Sequence, residues 1–388
     1  MSCVTGPPAL YSDLHLITQN FTEVLLKNES SWDAAPAAAA LSLVASVDAV
    51  ARAFPDIPTT LLVPLINLLL AIAAWHGCTR VALALCCVGL ALPYLIAFES
   101  LYMHAGFALA IFVSAWKVCD MAGGTAPAHV RRSFSDLFVH LLFPVEFTTE
   151  PCCRAKWIPR AAWQLATVVV GTVLIEAGPR LLAAAALPLP TLPAPAAWML
   201  KLWLDTWLVF FMLQLPFSAS QLALATLGYT PIEVFRNPLL LATSPADFWG
   251  RRWNLLIHGL FKRTIFKPLR ARGVPAELAG VSAFIVSGLF HEYAFLAPPT
   301  ARATAGGMLQ FFLLQAPLVT GEKYLSQRTP APLRSILGAA PWLCTLLTTL
   351  LILPLSPSFF SPLHASGVMR EYASFVPTGG AAPQTCEW

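Results

Sequence analysis

One histidine stands where the chain calls for hydrocarbon. His291 lies well inside the apolar run Leu278 to Ala297, in Ser282-Ala283-Phe284-Ile285-Val286-Ser287-Gly288-Leu289-Phe290-His291-Glu292-Tyr293. Ionisable side chains at such depth are costly, so they face a protein interior or a water-filled cavity and are candidates for function. A neutral imidazole there can take the proton of a hydroxyl; a structural hydrogen bond is the alternative. Glu292 follows at once, but adjacent helical residues project about 100° apart, so the two need not share a role.

A second group is Asp247-Phe248-Trp249-Gly250-Arg251-Arg252-Trp253-Asn254, continuing to His258, Lys262, Arg263 and Lys267. Tryptophans at i and i+4 with interleaved arginines suit a membrane interface, where rings sit at headgroup depth and cations meet phosphates. Asn254 adds an amide that can orient a hydroxyl or donate to a developing oxyanion, provided the fold brings it to His291. Arg251, Arg252, Lys262 and Arg263 can hold phosphates or form a lipid-facing cuff.

The elements that must position these groups are membrane helices. Of 388 residues 57% are hydrophobic and 11% charged, and the mean hydropathy is +0.67, well outside the range of a soluble domain. The 33 prolines fall largely at the edges of apolar runs, where they end or bend helices. Spans need about 20 mostly apolar residues. The expected fold is all-α and polytopic, with about eight transmembrane helices near Thr59 to His76, Val81 to Phe98, Leu101 to Val118, Ala161 to Leu187, Ala197 to Leu215, Leu278 to Ala297, Met308 to Leu325 and Ile336 to Leu353. The alanine-rich stretch Ala34 to Val47 is expected as an interfacial or packed helix, and Phe134, Leu137, Phe138, Leu141 and Leu142 form one apolar helical face suited to the headgroup layer or to re-entry.

Lys117, Arg131, Arg132, Arg154, Lys156 and Arg160 fall in one expected loop and Arg236 to Arg272 in a second, two spans apart. The positive-inside rule makes that side cytoplasmic and puts the termini and the proline-rich Pro188 to Pro195 in the lumen. The sequons at Asn20 and Asn28 would then be lumenal. No signal peptide is evident. The nine cysteines show no metal-ligand spacing, so no metal is expected. The net charge of +4 gives no reason to expect nucleic acid. Glu176 and Arg180 are spaced for an ion pair, while His104 and Asp205 read as lone polar residues in packing or tunnel-lining roles.

The run Asp247 to Asn254, followed by Val286-Ser287-Gly288-Leu289-Phe290-His291-Glu292, resembles the wax synthase branch of the membrane-bound O-acyltransferase family. Pro231-Ile232-Glu233-Val234-Phe235-Arg236-Asn237-Pro238 and Phe311-Phe312-Leu313-Leu314-Gln315 resemble it too, and the likeness is dense from Tyr229 to Glu322. Phe248 through Asn254 is also similar to a stretch of sterol and diacylglycerol acyltransferases, with Arg251 where those have aspartate. That departure favours the wax synthase branch. Plant members usually have leucine where this chain has Tyr293.

The resemblance implies His291 as catalytic histidine with Asn254 as its companion, and Phe248, Trp249, Arg251, Arg252, Trp253, Ser287 and Glu292 in the substrate site. It implies transfer of an acyl group from acyl-CoA, a substrate and not a resident cofactor, to a long-chain alcohol, giving a wax ester in the endoplasmic reticulum membrane. The chain then divides into a lumenal tail with interfacial helix over 1–54, an N-terminal bundle over 55–228 with a cytoplasmic loop at 119–160, a catalytic core over 229–325, and a last helix and tail over 326–388. Diacylglycerol or a sterol is the rival acceptor. A transporter or a non-catalytic scaffold is the rival of another class, against which stand the lack of a visible repeat and the presence of both His291 and Asn254. Oligomeric state is not legible.

Overall fold

A computed structural model describes residues 59–96, 100–184, 192–295 and 304–374. The sequons at Asn20 and Asn28, the alanine-rich stretch, much of Pro188 to Pro195 and the side chain of Arg180 lie outside the described residues. The architecture is helical: α1 (Thr59–Trp75), α2 (Thr79–Leu95), α3 (Leu101–Ala122), α4 (Phe134–Leu142), α5 (Arg154–Ala184), α6 (Ala194–Leu227), α7 (Leu255–Phe261), α8 (Ala276–Phe295), α9 (Gly307–Arg328), α10 (Pro341–Ile352), α11 (Pro357–Ser366) and α12 (Val368–Ser374). A two-residue antiparallel bridge of Phe147–Thr148 with Thr230–Pro231 ties the loop after α4 to the segment after α6.

Every expected span falls on a helix, but the eight-span count is not confirmed among the described residues. Among the described residues four helices are long and apolar enough to cross a bilayer, namely α3, Arg154–Ala177 of α5, α6 and α8. A bent pair, Pro341–Leu355 and Pro357–Ser366 at 56°, makes a fifth if it is one span. The physical reasons differ. Helices α1 and α2 have 17 residues each, about 25 Å at 1.5 Å per residue, short of a ~30 Å hydrocarbon core unless the bilayer thins around them. Helix α9 interrupts its apolar face with Gln310, Gln315 and Glu322, and the run Ile336 to Leu353 breaks before Pro341, which opens α10. With these spans the chain is a membrane protein.

Two local expectations change. Helix α4 buries Leu137, Val139, His140 and Leu141, and its apolar face joins Leu70, Ala71 and Ala73 of α1 and Ala115 and Val118 of α3 in one cluster. That face is covered by protein rather than by lipid. Lys117, counted above as a loop residue, is inside α3 and fully buried. Its ammonium donates to the carbonyls of His140 at 2.6 Å and Phe143 at 2.8 Å, where the end of α4 leaves carbonyl oxygens without intrahelical partners.

Nearby, Arg263 pairs with Asp120 at 2.8 Å and with Glu146, and the Trp116 indole donates to Thr264 at 2.7 Å. The ion pairs and the indole pin the π-helical turn Lys262–Phe266 to the C-terminal end of α3. Asp205 is likewise not alone: it pairs with Lys201 at 3.0 Å and His364 at 3.1 Å. His104 binds the Pro93 carbonyl at 2.6 Å, as expected of a packing role.

Candidate active site

Helices α8 and α9 set the site. Gly288 makes their close approach possible, because a Cβ at that position would lie 2.8 Å from Leu309 Cα. Contact at that distance brings Phe312 to His291, ring centroids 4.6 Å apart, with Phe290 at 4.9 Å and Phe359 of α11 at 5.5 Å. The imidazole is thus walled by aromatic rings. Its Nδ1 lies 2.7 Å from the Ser287 carbonyl. A carbonyl has no proton to give, so Nδ1 carries the hydrogen and Nε2 keeps the lone pair. A fixed tautomer with one basic nitrogen is what a general base requires.

His291 opens on a cavity of about 820 Å³. Its lining unites Phe248, Trp249, Trp253, Asn254, Ser287 and His291, residues more than thirty positions apart in sequence. The Asn254 stretch reaches the cavity through unusual backbone. Residues Phe248–Arg252 form a π-helical turn, a geometry that recurs at functional sites. Asn254 then sits at φ 41°, ψ 63° and caps α7, its Oδ1 accepting from the Ile257 N–H at 3.4 Å.

Asparagine tolerates the left-handed region better than other non-glycine residues. With Oδ1 engaged in the cap, Nδ2 is the end left to donate toward the cavity. The segment is held from behind: Leu255 N–H donates to the Val234 carbonyl at 2.8 Å and Arg236 N–H to the Arg252 carbonyl at 3.0 Å.

The remaining expected residues separate. Trp249 lines the cavity, touches the rings of Phe284, Phe311 and Phe312, and donates its indole N–H to Gln315 at 3.2 Å. Phe248 stacks on Trp253 at 5.3 Å. Arg251 and Arg252 do not line the cavity; both bind Asp247, at 3.0 and 2.6 Å. Burial pushes the Asp247 carboxyl up, but hydrogen bonds from Arg252 and the Thr243 N–H and the charges of both arginines outweigh it and hold the carboxyl below its ordinary range.

Glu292 points away from the cavity and accepts from the Leu309 N–H at 3.0 Å, a carboxylate on the N-terminal turn of α9. Arg263, expected among the phosphate-binding groups, is committed to Asp120 and Glu146. Lys262 does reach the cavity wall. Phe359, on the bent helix pair far along the chain, is a wall residue that the sequence reading missed; nothing in its local pattern distinguishes it from core. Gln315 was within a recognised stretch, yet its bond to Trp249 was not foreseeable from spacing.

Comparison with known proteins matches the stretch that holds these residues. Residues 232–314 match the model of the membrane bound O-acyl transferase family, a stretch that holds both Asn254 and His291. The chain is 34% identical over 174 residues to "Probable long-chain-alcohol O-fatty-acyltransferase 3" of Arabidopsis thaliana, covering 43% of this chain and 50% of the relative. It is 42% identical over 92 residues to "Long-chain-alcohol O-fatty-acyltransferase" of Simmondsia chinensis, covering 22% and 26%, and 32% identical over 120 residues to "Acyl-CoA--sterol O-acyltransferase 1" of Arabidopsis thaliana, covering 29% and 34%. The chain spans about half or less of the length of these curated relatives. The cavity-forming stretch of this chain is thus similar to the membrane bound O-acyl transferase family, and its relatives include proteins named as long-chain-alcohol O-fatty-acyltransferases.

Proposed function

We propose that this protein transfers a fatty acyl group from acyl-CoA to the hydroxyl of a long-chain alcohol, producing a wax ester in the endoplasmic reticulum membrane. The observation that carries the reading is His291, with Nδ1 tied to the Ser287 carbonyl, opening on the same apolar cavity as Asn254. Ester formation needs a base, an oxyanion donor and exclusion of water. Nε2 of His291 accepts the alcohol proton as the alcohol oxygen attacks the thioester carbon, and the Asn254 amide donates to the oxyanion. The C–S bond then breaks, and the imidazolium returns its proton to the departing thiolate, giving the ester and free CoA thiol. Neither a metal nor a resident cofactor takes part in this scheme.

Lys262 at the cavity wall meets the coenzyme phosphates, with the outward-facing Arg251 as a second cation. The basic segment faces the cytoplasm in this reading, where acyl-CoA is water-borne, while the alcohol arrives through lipid. A sterol acceptor is the second reading, favoured by the likeness to a protein named for that activity.

The decisive assay supplies labelled acyl-CoA to membranes containing this chain or His291→Ala, with fatty alcohol, sterol or diacylglycerol in parallel. Wax ester from the intact chain and its loss in the variant are expected. Ester with sterol alone would move the acceptor assignment, and equal product from both proteins would remove His291 from the chemistry.

A further inference from the structure

The cavity has two ends that differ in chemistry, and α3 relates them to His291. Phe112 of α3 stacks on Phe290 with centroids 4.2 Å apart, which marks the level of the histidine. Toward its C-terminus α3 meets the basic segment through Trp116 with Thr264 and Asp120 with Arg263. Toward its N-terminus it presents Gly106, roughly 9 Å beyond Phe112 at 1.5 Å per residue. Gly106 therefore lies on the side of the histidine opposite Lys262.

Tyr102 and Met103, one turn earlier on α3, line the cavity as well, as does Val63 of α1, which packs against the cluster of Phe107 and Ile111. None of these carries a formal charge, and Met103 is 42% exposed, so the cavity wall here is uncharged and open rather than packed. A Cβ at Gly106 would meet no atom within 4 Å. The opposite end is lined along one face of α8 by Gly280, Phe284 and Ser287 at i, i+4 and i+7 before His291 at i+11. That face runs roughly 16 Å, ends near Lys262, and at Gly280 is equally open to an added Cβ.

We propose that Gly106 is the specificity-determining position for the lipid acceptor: the uncharged opening it forms with Met103 admits the alkyl chain of a long-chain alcohol. Its missing side chain sets the width available to that chain. The proposal rests on the O-acyltransferase reading above. An anionic coenzyme gains nothing at this end, where no cation lines the wall, whereas hydrocarbon loses no hydration by passing it. Leucine or phenylalanine at this helical position is tolerated by the helix and projects into empty space.

The test measures kcat/KM for hexadecanol and octanol, and KM for acyl-CoA, in membranes carrying the intact chain, Gly106→Leu, Gly106→Phe and Gly280→Leu. Substituting Gly106 should lower the hexadecanol-to-octanol ratio about tenfold or more, the size of effect that filling an apolar pocket produces, with the acyl-CoA KM unchanged. Gly280→Leu should do the reverse, raising the acyl-CoA KM and leaving the ratio alone. An unaltered ratio in both Gly106 variants, or a rise confined to their acyl-CoA KM, overturns the proposal.

Photolabelling with a diazirine-bearing hexadecanol, mapped by peptide mass, reads the seat independently of turnover. Labelling within Leu101–Ala122 or at Val63 that Gly106→Phe abolishes supports it, and labelling that Gly106→Phe leaves intact, or that falls only on α8 or the basic segment, overturns it. Should the intact chain form no ester from any alcohol, the O-acyltransferase reading fails and the labelling result alone decides the Gly106 opening.

Discussion

Two regions of this protein bury ionisable groups, and they treat them in opposite ways. At the end of α3, Lys117, Asp120, Glu146 and Arg263 form a closed set in which each charge has a partner from another element. At α8, His291 has one bond to its own helix and otherwise aromatic rings, and it borders a cavity. Desolvated charges persist in a fold only when compensated, so the first region is a joint. The second holds an imidazole with one nitrogen lone pair uncommitted. Lack of a partner does not by itself mark function: both ring nitrogens of His140 are buried without one, but His140 borders no part of the cavity. The combination of an uncommitted nitrogen and a cavity separates the two regions.

The comparison breaks most sharply when one residue from each is removed. His291→Ala should lower ester formation about 10²–10⁴-fold, the usual worth of a positioned base, with the thermal midpoint in detergent little changed. Arg263→Leu should do the opposite, costing about 3–5 kcal/mol by stranding Asp120 and Glu146, and should be seen as loss of folded protein. If Arg263→Leu folds normally but is inactive, the joint belongs to the chemistry after all.

Asn254 belongs to both categories, since its Oδ1 caps α7 and its Nδ2 is the oxyanion donor in the proposed scheme. Asn254→Asp separates them. Aspartate caps a helix as well as asparagine and suits its positive end, but it cannot donate to an oxyanion. Stability should hold while kcat falls about 10²–10³-fold, as loss of one such donor does elsewhere. Activity within a few-fold of the intact chain would leave Asn254 a cap only. Gly288→Ala is expected to have a smaller effect, about 1–3 kcal/mol of overpacking. Its Cβ must push α9 away, and Phe312 with it, so ester formation should fall alongside the thermal midpoint.

The difference between the regions was legible in the sequence only on one side. His291 showed itself because an imidazole inside an apolar run is rare, and Asn254 because it ended an unusual aromatic and basic stretch. The helical architecture was legible from apolar runs, but not which runs are long enough to span, since that depends on where α1, α2 and α10 end. The ion-pair joint was illegible: Lys117 and Arg263 read as loop cations because their partners, the α4 carbonyls, Asp120 and Glu146, are distant in sequence or unremarkable in type. The π-helical turns at 248–252 and 262–266 left no signature either, as an i to i+5 bond asks for no particular residue. Phe359 was hidden for the same reason as the joint, its meaning arising only when the bent helix pair folds back on α9.

The finest test of the comparison concerns Glu292, which adjoins the histidine in sequence but belongs to the structural kind. One carboxylate oxygen accepts from Leu309 N–H at the start of α9, and the other is buried without a partner. In Glu292→Gln the amide oxygen can keep the Leu309 bond, while the charge at the helix N-terminus, worth about 0.3–1 kcal/mol, is lost. The bare charge no longer needs burying, which offsets part of that loss. The thermal midpoint should therefore move by only a few degrees at most, and kcat should stay within about twofold, since the side chain faces α9 and not the cavity. A tenfold fall in kcat at unchanged stability would show that the carboxylate field reaches the imidazole across the α8 backbone, and Glu292 would move from the joint-like groups to those that tune the base.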